Sequence, residues 1–146
     1  MREPLKHPEP SAEHGPATVA IRIPALPEWV GVARLATAGI ASRSGFSIED
    51  IEDLKLAVAE ACNCCIQNPG RGDVNIECVL DDRRITITVT RAGAGPARTS
   101  EPAPTGEFSA AGGLGVFLIR SLMDDVTYVS DKISGTRLTL TKVVGT

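Results

Sequence analysis

Ser47 to Gly70 reads as one long amphipathic helix, and the rest of the chain has to be arranged around it. Ser47 is a good N-terminal cap, and Glu49 and Asp50 place acidic side chains at the positive end of the helix dipole. Ile51, Leu54, Val58, Ala61 and Cys65 then recur at helical spacing and form one apolar stripe. Asn68-Pro69-Gly70 stops the helix, because proline cannot continue it and glycine favours its end. At its centre lies Glu60-Ala61-Cys62-Asn63-Cys64-Cys65, a carboxylate, an amide and three thiols within six residues.

The chain has 146 residues, enough for one domain with a real hydrophobic core. Aromatic residues make up only 3%, so that core must come from Val, Ile, Leu and Ala. A formal charge of −3 with no basic stripe argues against a nucleic-acid partner. No apolar run approaches the roughly 18 residues of a membrane span, and Met1-Arg2-Glu3-Pro4 does not begin a secretory signal. A cytoplasmic protein without membrane contact is the expectation. Three of the four cysteines share the helix, where adjacent positions diverge, so reduced thiols are expected rather than disulfides.

Residues 1–17 hold four prolines, both histidines and three glutamates without apolar periodicity, the composition of a disordered tail. His7 and His14 are metal-capable types in that tail. A single domain is expected over residues 18–146. It opens with a strand from Thr18, in which Val19, Ile21 and Ile23 alternate with polar or small residues. Pro24 and Pro27 end the strand. Trp29, Val32, Ala33, Ala36 and Ile40 then fall on one face of a first helix, leaving Arg34 and Arg43 solvated. After the long helix, Val74, Ile76, Cys78 and Leu80 alternate, followed by Ile85, Ile87 and Val89, with Asp81-Asp82-Arg83 as the hairpin turn. Residues 92–113 are rich in Gly, Ala, Pro and Ser, a length of irregular chain that is usually functional. A third helix follows over Val116–Met123, then strands Val126–Ser130 and Thr136–Val143. This order predicts an α+β two-layer sandwich, a mixed β-sheet covered on one face by three helices.

Two features could carry chemistry. Gly112-Gly113-Leu114-Gly115 opens a helix, where free N–H groups and the dipole can face a phosphate; a tight turn needing glycine for its backbone angles gives the same sequence. Glu60 lies off the apolar stripe, so its carboxylate can serve as a general base or simply face solvent. Cys62, Cys65 and Cys78, with Cys64, raise a third idea, a thiol or metal sensor, although paired loop spacings typical of zinc or iron–sulfur sites are missing.

Ile51-Glu52-Asp53-Leu54-Lys55-Leu56-Ala57-Val58-Ala59-Glu60-Ala61-Cys62 is similar to the N-box helix of the bacterial anti-sigma-factor serine kinases of the RsbW and SpoIIAB type. Pro27–Leu35 looks like their first helix, and Gly112–Ile119 with Leu122–Val126 looks like their second glycine box and its sequel. The resemblance spans about residues 18–143. It implies the GHKL (Bergerat) ATP-binding fold, ATP or ADP with Mg²⁺ as cofactors, a lid over about 95–112, and a homodimer. It also implies two partners, a sigma factor and a STAS-type anti-sigma-factor antagonist, with Arg34 in a partner-contacting position. By the same resemblance Glu60 would be the catalytic base, and Asn63, Cys64, Arg91, Gly93, Gly95, Gly112, Gly113, Leu114 and Gly115 would surround the nucleotide.

The sequence departs from that pattern at three places. Cys64 stands where the family has its magnesium-binding asparagine, and Asn63 is one residue early, a rotation of about 100° around the helix. A thiol is a poor ligand for magnesium, which prefers hard oxygen donors. Arg91 stands where the family's aspartate accepts from adenine, replacing an acceptor with a donor-only cation. Asn68-Pro69 replaces the histidine and small loop that usually follow. Glu60 and the glycines remain, so the expectation is weak or absent nucleotide binding and a domain that works by binding partners. An active kinase, with Asn63 rearranged to hold magnesium, is the alternative.

Overall fold

Five alternating apolar stretches form strands, and all five join one sheet. The computed structural model describes residues 15–95 and 113–145. Strands β1 (Ala17–Ile23), β2 (Arg71–Asp81), β3 (Arg84–Ala92), β4 (Asp125–Asp131) and β5 (Gly135–Val143) lie side by side in the order β1-β2-β3-β5-β4. Every pairing is antiparallel. That corrects the mixed sheet expected from the sequence. Two tight hairpins, β2–β3 and β4–β5, reverse the chain directly. Two helices lie between β1 and β2, and one helix and β4 lie between β3 and β5. An even number of intervening passes leaves each pair of neighbours opposed, so no parallel crossover is needed.

Ile85, Ile87 and Val89 on β3 and Leu138 and Leu140 on β5 are fully buried, while Thr86, Thr88 and Thr90 between them are only partly so. The sheet therefore has one covered and one open face. Helices α1 (Val30–Ala41), α2 (Ile48–Gln67) and α3 (Gly113–Leu122) supply the cover. Burying each such aliphatic side chain contributes about 1.5–3 kcal/mol, so this single layer carries most of the cohesion.

The start and stop signals of α2 act as read. Ser47 Oγ accepts from the Asp50 N–H at 3.0 Å, and the helix ends at Gln67. Its buried face comprises Leu54, Ala57, Val58, Ala61, Cys62, Cys64 and Cys65, broader than the predicted stripe, with Ile51 only half-buried. Asp82 makes the β2–β3 turn with φ 56°, a left-handed angle that aspartate tolerates.

The first helix differs from expectation. A 3-10 turn over Pro27–Trp29 precedes α1, and the buried positions are Val30, Ala33, Thr37 and Ala41. Trp29 and Val32, expected inside, are 42% and 46% exposed. The segment is apolar nearly all round, so hydrophobic periodicity alone could not fix which side faces the sheet.

Lys142 is a buried charge in this core. Its ammonium donates to the Leu122 carbonyl at the end of α3 at 2.7 Å, and lies 3.9 Å from Asp50 at the start of α2. One side chain thus ties the sheet to a C-terminal carbonyl of α3 and to an acidic side chain in the first turn of α2.

Candidate functional site

The face of α2 made by positions 60, 63, 64 and 67 meets the first turn of α3 across a cavity of about 230 Å³. Glu60, Asn63, Cys64 and Gln67 line one wall, with Asn68 just beyond the helix; Gly113, Leu114 and Gly115 line the other. The fold thus brings together six of the residues expected from sequence. Gly112 lies outside the described residues, as do the remainder of the lid, His7 and His14. Gly113 has φ 63°, which turns the chain into α3. A methyl group on Gly115 would sit 3.4 Å from the Glu60 carboxylate and 3.8 Å from the Cys64 sulfur. The first turn of α3 therefore lies against both reactive groups, with a methyl group at 115 fitting in ordinary contact.

Cys64 is 8% exposed, the most accessible of four buried thiols. Burial raises its pKa, and the neighbouring Glu60 carboxylate raises it further. Burial likewise pushes Cys62 and Cys65 up to about 12 and Cys78 up to about 11. Thiols held protonated are weak nucleophiles and weak metal ligands. Among the described residues, no three His, Cys, Asp or Glu side chains are placed to hold a metal ion. The metal-sensor idea has no site among them.

Magnesium takes hard oxygens in near-octahedral geometry; Cys64 offers a protonated sulfur in the wall of the cavity, while Glu60, Asn63 and Gln67 bring oxygen atoms to the same wall. The first N–H groups of α3, which lack intrahelical partners, are the kind of donors that can face an anion.

Arg91 does not point an unpaired cation at a ligand. Its Nη1 donates to the Cys65 carbonyl at 3.3 Å and its Nε to the Gly72 carbonyl at 3.0 Å. The side chain crosses Gly70, where an added Cβ would meet Arg91 Cδ at 3.3 Å. The last carbonyls of a helix lack intrahelical partners and carry the negative end of the dipole. Arg91 serves that need, which a sequence-based view of residue 91 as part of the adenine pocket misses.

Gly93 is also apart from the cavity. A Cβ there would lie 2.2 Å from the Ile133 carbonyl oxygen and 2.6 Å from the Gly135 N–H nitrogen. It is glycine because the end of β3 presses against the β4–β5 turn. Gly95 has φ 86° and open space around it.

Gln67, Tyr128, Ser130 and Thr136 were not singled out from sequence, and Asn68 was noted only as a helix stop and as a departure from the family pattern. Asn68 Nδ2 lies 3.0 Å from Tyr128 Oη, 3.1 Å from Ser130 Oγ and 3.2 Å from Thr136 Oγ1. Gln67 could have been found, since 60, 63, 64 and 67 share a helical face. The Asn68 network joins positions 60 or more apart and leaves no local signal.

A larger hollow of about 550 Å³ lies on the open sheet face beside Arg22, Glu77 and Arg137. It contains none of the expected site residues and is a shallow trough, so its size carries no weight in locating the chemistry.

Helix α2, the glycine turn into α3 and the five-stranded sheet make up a fold that comparisons with known proteins place in one family. The chain belongs to the histidine kinase-like ATPase domain family, whose model matches residues 23–142, and within it to the RsbW-type serine-protein kinases. The serine-protein kinase RsbW of Halalkalibacterium halodurans is 39% identical, over 88% of this chain and 85% of that protein. RsbW of Listeria monocytogenes serotype 4a is 36% identical, over 86% of this chain and 87% of that protein. A crystal structure of the RsbU and RsbW domains of a Mycobacterium tuberculosis protein shares the fold with TM-score 0.65 at 16% identity. The match covers 87% of this chain and 32% of that one. No described helix is long and apolar enough to cross a membrane.

Proposed function

We propose that this chain is a cytoplasmic, dimeric anti-sigma factor of the RsbW type that acts chiefly by binding. It holds a sigma factor and is displaced by a STAS-type anti-sigma-factor antagonist, while its nucleotide site supports phosphoryl transfer poorly. The observation that carries this reading is Cys64, a protonated thiol in the cavity wall beside Glu60, in the place where the resemblance calls for a magnesium ligand. The binding half is supported by the segment that runs through the 3-10 turn into α1. Leu26, Trp29, Val32 and Leu35 are exposed along it, Leu35 at 72%, as is Arg34. Exposed apolar clusters with a charged rim are typical protein-binding surfaces.

A second reading has its own observation. Asn63 lines the same cavity as Glu60, and the relatives are named serine-protein kinases. On that reading the chain is an ATP-dependent kinase of its antagonist, with Glu60 as base.

One experiment separates the two. The purified chain is mixed with each antagonist candidate from the same genome and with ATP labelled at the γ-phosphate, with and without Mg²⁺. Binding without label transfer supports the first reading. Mg²⁺-dependent transfer to a partner serine at rates typical of a kinase establishes the second. In the first case Cys64→Asn should raise Mg²⁺-dependent nucleotide affinity, and Arg34→Ala should weaken sigma-factor binding.

A further inference from the structure

The open face of the sheet carries a basic side chain and an acid-lined trough on opposite sides of β3. Asn75, Thr90 and Arg137 are successive cross-strand partners on β2, β3 and β5, and Glu77 and Thr88 begin the next row. The trough, about 550 Å³, lies over β1, β2 and β3 beside Asn75, Glu77 and Thr90. Arg137 borders it, and also borders the hollow of about 450 Å³ beside Ala92, Val129 and Gly135. Among the described residues, neither Arg137 nor Glu77 enters an ion pair. Threonines at 86, 88 and 90 keep the middle of the face low.

We propose that this face is the contact surface for a second copy of the chain, packed about a two-fold axis that runs along β3. The inference rests on the dimeric part of the reading above and adds the face that makes the dimer. β2 and β5 are the two neighbours of β3, so such an axis lays each β2 over the partner's β5. Arg137 then enters the partner's trough beside Glu77, and the symmetry makes the same pair twice. Thr88 and Thr90, close to the axis, meet their own copies, and hydroxyls can both donate and accept. Arg22 is set over the partner's β4, its charge already answered by Asp73 of its own chain at 3.5 Å. Packed sheets lie about 10 Å apart, a gap that facing arginine and glutamate side chains span together. Five strands about 4.8 Å apart, each about seven residues long at about 3.3 Å per residue, give a face of about 550 Å². Two such faces bury about 1,100 Å², which clears the roughly 1,000 Å² of a specific interface.

Sedimentation equilibrium on the full chain tests this, with Glu77→Arg, Arg137→Glu and the variant carrying both. The parent should be a dimer. Each single reversal sets like charges together twice and should raise the dimer Kd about tenfold or more. The double variant should recover the parent's Kd, because the pair re-forms with its signs exchanged. Within one chain β3 separates the two positions, so that recovery reads the contact between chains. Thr88→Arg, which brings two cations together near the axis, should also dissociate the dimer and serves if a reversal fails to fold by circular dichroism. A monomeric parent overturns the proposal and the dimeric part of the reading with it. A dimeric parent unmoved by these variants, paired instead through the edge of β1, overturns the face alone. A double variant as weak as the single ones does the same. Sigma-factor and antagonist binding are measured separately, so the binding-only reading stands or fails on its own assay.

Discussion

Replacing Arg91 should destabilise the fold rather than repair a nucleotide site. Restoring an aspartate at 91 is the natural experiment suggested by the resemblance to kinases, and the structure gives it the opposite outcome. Arg91→Met keeps the aliphatic stem and removes two charge-assisted bonds. The part-buried bond to the Cys65 carbonyl contributes about 1.5–3 kcal/mol. The exposed bond to Gly72 adds little after screening by water. Loss of a cation at the C-terminus of α2 costs about 0.3–1 kcal/mol more. The sum is about 2–4 kcal/mol for methionine. Aspartate adds repulsion from the same carbonyls, roughly another 1 kcal/mol. For a domain of this size, each kcal/mol lowers Tm by about 3–4 °C. Urea denaturation followed by circular dichroism at 25 °C measures both variants, with nucleotide dialysis on the same samples. An Arg91→Asp protein as stable as the parent, or one that also gains adenine-nucleotide affinity, would refute the capping role.

The raised thiols make stability depend on alkaline pH. Cys62 and Cys65 titrate near 12 and Cys78 near 11 in the folded state, against an ordinary value of 9.0. The folded chain keeps protons that the unfolded chain releases, so this stability is complete below pH 9, declines from pH 9 upward and is gone once pH has passed 11 to 12. Each thiol contributes a slope of about 1.4 kcal/mol per pH unit in that window. Urea midpoints at pH 8 and pH 10 should therefore fall steeply, and Cys62→Ala should flatten the fall. Lys142→Ala removes the bond to the Leu122 carbonyl and should cost about 1.5–3 kcal/mol by the same denaturation assay. Lys142→Met should cost less, because the aliphatic stem keeps its packing. Gly93→Ala should fail to accumulate as folded protein, since its methyl group would overlap the Ile133 carbonyl. Gly115→Ala, by contrast, has room in ordinary contact with Glu60 and should fold normally, as thermal melts of the pair would show.

Much of this protein was legible in its sequence because the signals are local. Ser47, Asp50 and Asn68-Pro69-Gly70 fix α2 to within a residue, since capping and helix breaking act over four or five positions. Strand alternation found all five strands, because burial on one face imposes a period of two. The pairing of Glu60, Asn63 and Cys64 with Gly113 to Gly115 was legible through resemblance, and the fold places them around one cavity. Sequence did not determine which way α1 turns, because a helix apolar on most sides has no preferred face until a sheet is set against it. Nor did it determine the antiparallel sheet, which depends on the sum of chain reversals rather than on any one strand. The meaning of Arg91 and Asn68 was decided only by tertiary structure. Arg91 finds the end of a helix 26 residues earlier, and Asn68 finds hydroxyls 60 to 68 residues later. A side chain's partners at such separations are set by how the layers stack, and no local pattern records them.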